Sequence, residues 1–146
     1  MKRFKFRLQR VLDVRERVCD EARQELVAKN AARDEEQRIL QNLQAEFLRE
    51  RMEEGGTYSA SELLLVGEYQ ARVKEATKQQ EGVVEKAEAE ADEAKEKYVA
   101  ASKDVKTMEK LKETRLIEHT EAVLKEQGAE LDELTVQRHG KKDKSG

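Results

Sequence analysis

The groups with which this 146-residue chain can do chemistry are two histidines, one cysteine and 32 carboxylates, and their spacing argues against a reaction. His119 and His139 stand well apart. Neither neighbours the cysteine, and they form no HExxH pair, which would set two imidazoles on one helix face around a metal. Both read as surface histidines. Cys19 has no second thiol with which to form a disulfide or a thiolate cluster, as suits a reducing compartment. It falls in series with Leu12 and Leu26 and reads as a small core residue. The carboxylates are spread along the whole length, so nothing splits their pKa values as acid–base catalysis requires. No GxxxxGKS or GxxxxGKT loop is present to cradle a nucleotide phosphate. The chain reads as a non-enzyme without cofactor or metal.

The N-terminal charges are a stronger signal. Across residues 1–17, Lys2, Arg3, Lys5, Arg7, Arg10, Arg15 and Arg17 stand against Asp13 and Glu16 alone. Seven cations against two carboxylates give a net of +5, in a chain whose total is −3. Phe4, Phe6, Leu8, Val11 and Leu12 interleave with them. A membrane-surface helix is one use of such a segment. A docking end for an acidic partner is the favoured one, because a hairpin would already cover much of the apolar face. The acidic total argues against a dedicated nucleic-acid binder. Gln9, Arg10 and Asp13 interrupt what would be the apolar core of a signal peptide, so export by that route is not expected. No stretch approaches the ~20 apolar residues of a membrane span, which leaves membrane contact to a partner.

Long helices must position these groups. Proline is absent, 42% of residues are charged, 37% are hydrophobic and 4% are aromatic. That composition cannot fill a large globular core, yet its apolar residues recur every three or four positions. Val84, Ala87, Ala91, Ala94, Tyr98, Ala101, Val105 and Met108 alternate steps of three and four, the spacing of a coiled-coil seam. A first helix reads over 4–53, with Leu12, Cys19, Leu26, Arg33, Leu40 and Phe47 at intervals of seven and Leu8, Ala22 and Leu43 in the partner series. Arg15, Lys29, Glu36 and Glu50 interrupt that second series, their stems packing while their heads reach outward.

Gly55 and Gly56 break the pattern in a loop over 54–58. Ser59 and Glu62 follow at capping-box spacing and open a second helix over 59–138. Gly67, Gly82 and Gly128 should bend or fray it, and residues 140–146 read as a disordered basic tail. The expected fold is all-α, one elongated unit over 1–146 in which two helices form an antiparallel coiled-coil hairpin. Counting outward from the loop places Phe4 opposite Lys110, and the longer second helix then overhangs. Its seam changes phase after Met108. Leu111, Leu116, Ile117, Val123, Leu124, Leu131 and Leu134 would lie bare on this overhang, so another protein should cover them. Leu63 to Val66 are four consecutive apolar residues that encircle the helix; with Tyr69, Val73 and Ala76 they make a second candidate contact patch.

The segment Phe4-Lys5-Phe6-Arg7-Leu8-Gln9-Arg10-Val11-Leu12-Asp13-Val14-Arg15-Glu16 resembles the N-terminal signature of the flagellar export protein FliJ family. Met108-Glu109-Lys110-Leu111-Lys112-Glu113, Glu126-Gln127 and Leu131-Asp132-Glu133-Leu134 extend the likeness, with Gly128 where the family commonly carries a charged or polar residue. The resemblance implies a non-enzymatic component of the bacterial flagellar type III export apparatus, cytoplasmic and peripheral at the inner membrane, and similar to the central stalk of rotary ATPases. Its implied partners are the hexameric export ATPase, the cytoplasmic domain of the export gate and export chaperones, which it would help to recycle. Mapped here, Phe4, Arg7, Leu8, Arg10, Val11 and Arg15 with Leu111, Leu116, Leu124 and Leu131 would enter the ATPase ring. Leu63, Val66, Tyr69, Val73 and Ala76 would meet the gate. A chaperone-like hairpin holding clients between its helices and a scaffold coiled coil are the competing readings.

Overall fold

The structure, a computed structural model, describes residues 3–49 and 56–144. Two helices account for nearly all of them, α1 over Gln9–Arg49 and α2 over Ala60–Lys144, packed against each other with no strand among the described residues. Contacts divide the chain into two units, one of residues 18–101 and one of residues 1–17 with 102–146.

Within 18–101 the helices pair antiparallel. Tyr69 donates its hydroxyl to Glu46, and Gln80 Nε2 donates to the Glu36 backbone carbonyl at 3.0 Å and to its carboxylate at 2.5 Å. Lys29 Nζ meets Glu90 at 3.2 Å, and the Arg23 guanidinium lies 5.8 Å from the Tyr98 ring centroid. Cys19, Val73, Val84, Ala91, Ala94 and Ala101 are buried in this unit. Every member of the seam from Val84 to Met108 is buried or half-buried, as the three-and-four spacing requires. The interrupting residues Arg15, Lys29 and Glu36 are half-buried, so their stems do join the seam. Lys29 and Glu36 then turn their charged ends to partners on α2. Glu50 lies outside the described residues.

The helix ends differ from expectation at the start of α1 and at the end of α2. α1 begins at Gln9, not at Phe4. Phe4, Phe6 and Leu8 are half-buried while Arg3, Lys5 and Arg7 are exposed, a period of two. A helix would turn Phe6 about 200° away from Phe4, whereas an extended chain lays Phe4 and Phe6 on one side. A turn with Gln9 N–H donating to the Phe6 carbonyl at 3.1 Å then leads into the helix, whose first bond runs from Leu12 to Leu8 at 3.0 Å. At its other end α1 is described only as far as Arg49, so helix residues 50–53 and loop residues 54–55 lie outside the described residues.

α2 is capped as the sequence requires. Glu62 N–H donates to Ser59 Oγ and Ser59 N–H to the Glu62 carboxylate, both at 3.2 Å. It runs unbroken through Gly67, Gly82 and Gly128 and past Arg138 to Lys144, so residues 140–144 continue the helix in place of the expected disordered tail. Each of those glycines lacks only a side chain, which costs helix stability without stopping the backbone ladder. Residues 145–146 lie outside the described residues.

Candidate functional site

Residues 3–17 and α2 from Ser102 onward belong to one unit. Leu12 and Met108, 2% and 6% exposed, form its buried centre. From there the extended segment carries Phe4 to His119, where the rings lie 5.5 Å apart between centroids and tilt by 47°. The count from the loop had placed Phe4 at Lys110. Extended chain advances about 3.3 Å per residue against 1.5 Å for helix, so the stretch from Phe4 to the turn at Phe6 reaches farther along α2 than a helix would. Pairing in the other unit already runs ahead of that count, since Lys29 meets Glu90 where Glu85 was expected.

Between segment and helix lies an open cleft of about 840 Å³, lined by Arg3, Phe4, Lys5, Phe6, Arg7, Leu8, Leu111, Arg115 and His119. Leu111, Arg115 and His119 stand four apart and therefore share one face of α2. None of the lining residues is acidic. Arg115 Nη1 pairs with Glu118 at 3.3 Å on the surface, an exposed pair of small worth. Sequence reasoning dismissed His119 as a surface histidine, yet it is half-buried against Phe4. The signal was present in the four-residue spacing from Leu111 and in the alternation from Phe4 to Leu8.

All ten residues mapped to ring entry fall in this unit: Phe4, Arg7, Leu8, Arg10, Val11, Arg15, Leu111, Leu116, Leu124 and Leu131. Phe4, Leu8, Arg15 and Leu111 are half-buried, and Arg7 and Arg10 are exposed. Val11 is 39% exposed, Leu116 45%, Leu124 62% and Leu131 65%; Ile117, Leu134 and Val136 are bare as well. The wholly exposed run begins later than expected, at Gly128, because Val123 and Gln127 are still half-buried.

The second patch divides. Leu63, Leu64 and Leu65 are exposed, Val66, Tyr69 and Ala76 are half-buried, and Val73 is buried in the seam at 6% exposure. Val73 therefore supports the hairpin and presents no surface. Its neighbour Tyr69 spends its hydroxyl on Glu46. Cys19 is buried, as its place in the leucine series implied.

Residues 4–144 match the model of the flagellar FliJ protein family. This chain belongs to the FliJ family. The match takes in both the cleft and the exposed leucines of α2, and it makes the chain a component of the flagellar export apparatus. No curated protein and no solved structure matches it. In this FliJ-family chain no described helix is long and apolar enough to cross a membrane, and the described residues hold no cluster of His, Cys, Asp or Glu able to bind a metal ion. A second groove of about 920 Å³ runs between the helices of the 18–101 unit, lined by Gln44, Phe47 and Leu48 of α1 and by α2 residues from Ala71 to Glu81.

Proposed function

We propose that the chain is a non-enzymatic stalk of the export apparatus, cytoplasmic and peripheral at the inner membrane, whose 1–17/102–146 unit docks in the ring of the hexameric export ATPase. The observation that carries this reading is the company kept in that unit: a basic N-terminal segment and, farther along α2, the bare leucines Leu124, Leu131 and Leu134. Leucines so exposed cost hydration free energy that a partner surface would recover, and the cations select an acidic one. The other unit meets the cytoplasmic domain of the export gate through Leu63, Val66 and Ala76, with Tyr69 and Val73 holding the helix beneath them. Chaperone recycling follows from standing between the two.

The deciding experiment is turnover of the cognate export ATPase with and without the purified chain. A stalk raises it; no change at saturating chain would reject the reading. The groove at Phe47 and Leu48 favours one alternative, a hairpin that holds export clients there, and such a hairpin leaves ATPase turnover untouched.

A further inference from the structure

We propose that the cleft beneath residues 3–8 binds an extended acidic segment of a partner protein, laid alongside Arg3 to Arg7 as an added strand. The inference rests on the docking reading and specifies the chemistry that the ring would present to this unit.

Charge is the first support. The chain carries 32 acidic residues against 29 basic ones, yet the cleft has Arg3, Lys5, Arg7 and Arg115 on its lining and no carboxylate. Among the described residues, Arg3, Lys5 and Arg7 make no ion pair, and the exposed Arg115–Glu118 pair exchanges readily for a better one. Three cations without an ion pair, beside a fourth whose pair is exposed and exchangeable, favour an anionic occupant.

Backbone geometry supplies the second support and the shape of the ligand. Residues 3–6 precede the helix and alternate exposed with half-buried, the pattern of extended chain, and among the described residues the one backbone bond to their main-chain groups is Gln9 N–H to the Phe6 carbonyl. An extended segment with open main-chain groups is an edge to which another strand can add. Arg3, Lys5 and Arg7 occur at every second residue and are all exposed; Arg3 and Lys5, ahead of the turn, rise about 7 Å apart on one side as in extended chain, and Arg7 follows them at the start of the turn. Carboxylates at alternate positions of an extended peptide repeat at that same interval and would meet them as cross-strand pairs. The intervening side chains of the peptide would lie over Phe4, Phe6 and Leu111. An anionic membrane fits less well, because Phe4, Phe6 and Leu8 are turned inward against α2 and leave the segment no protruding apolar side chain to insert.

The test is fluorescence anisotropy of a dye-labelled peptide alternating glutamate with valine, titrated with the full chain, beside the same peptide with glutamine for glutamate. The expected result is binding of the glutamate peptide, weakened by about tenfold or more in the glutamine peptide and in the Lys5→Glu/Arg7→Glu variant, with helicity unchanged. Equal affinity for the two peptides, or full affinity in the double variant, overturns the proposal. So does capture of the chain by phosphatidylglycerol vesicles through Lys5 and Arg7 when the peptide fails to bind. ATPase stimulation separates this inference from the reading beneath it. A wild-type chain that never stimulates rejects the docking reading whatever the peptide does, whereas normal stimulation by Lys5→Glu/Arg7→Glu rejects the acidic strand and leaves docking intact.

Discussion

Phe4 rests its ring on His119, with centroids 5.5 Å apart, and so pins an extended N-terminal segment to a helix more than a hundred residues away in sequence. Aromatic pairs of this kind are worth about 0.5–1.5 kcal/mol beyond their buried area. Phe4→Ala should therefore free residues 3–8, and trypsin should cut after Lys5 and Arg7 about two- to tenfold faster when opening is rapid relative to cleavage. An unchanged cleavage rate would assign the hold to Phe6 and Leu8 instead.

Tyr69 and Val73 should behave as structural residues. Val73 is 6% exposed, and truncation of a buried aliphatic side chain leaves a void, so Val73→Ala should cost about 1–3 kcal/mol, seen as a lower midpoint in urea. Tyr69→Phe removes the donor to Glu46 and should cost about 1 kcal/mol, with full helicity retained at low temperature. If Val73→Ala abolishes gate binding while leaving the urea midpoint unmoved, the residue touches the gate after all.

The seam was legible because burial along a paired helix obeys one period. Counting threes and fours from Val84 to Met108 found residues that are all buried or half-buried, and the Ser59–Glu62 cap followed from spacing alone. The start of α1 was misjudged because one helical period was applied to Phe4, Phe6 and Leu8, whose period is two. The register error was already present at Lys29, which meets Glu90 in place of Glu85, and the non-helical segment before Gln9 adds to it at Phe4. The burial of Val73 was hidden for a different reason. Four apolar residues in a row from Leu63 hide which face of α2 meets α1, and only the partners of Glu46 and Glu36 reveal it.

The glycines of α2 offer a gain in stability. A Cβ built at Gly82 or Gly128 meets nothing within 4 Å, and both positions are exposed and helical. Gly82→Ala and Gly128→Ala should each stabilise the helix by up to about 1 kcal/mol, because glycine gives up more backbone freedom there than alanine. Ellipticity at 222 nm followed through a thermal melt should show a raised midpoint for Gly82→Ala, and a later loss of signal from the C-terminal stretch for Gly128→Ala. A lowered midpoint at Gly82 would mean that the native backbone there departs from helix.

Ring docking should separate into a charge-steered approach and an apolar hold. Arg7 and Arg10 are exposed and lie in the basic segment, so Arg7→Glu with Arg10→Glu should slow association with the export ATPase, most strongly at low salt, where the Debye length is longest. Leu124 and Leu131, 62% and 65% exposed in the free chain, would be desolvated in the ring. Exchanging both for serine should leave the association rate nearly unchanged and speed dissociation, since buried apolar contacts set residence time. Losing two leucine contacts at about 1 kcal/mol or more apiece amounts to at least about thirtyfold in affinity. Surface-immobilised ATPase with the chain in solution resolves both rates in one experiment. If the serine variant dissociates like wild type while the charge variant alone is impaired, the leucines of α2 face solvent or another partner, and the ring grips residues 3–17 only.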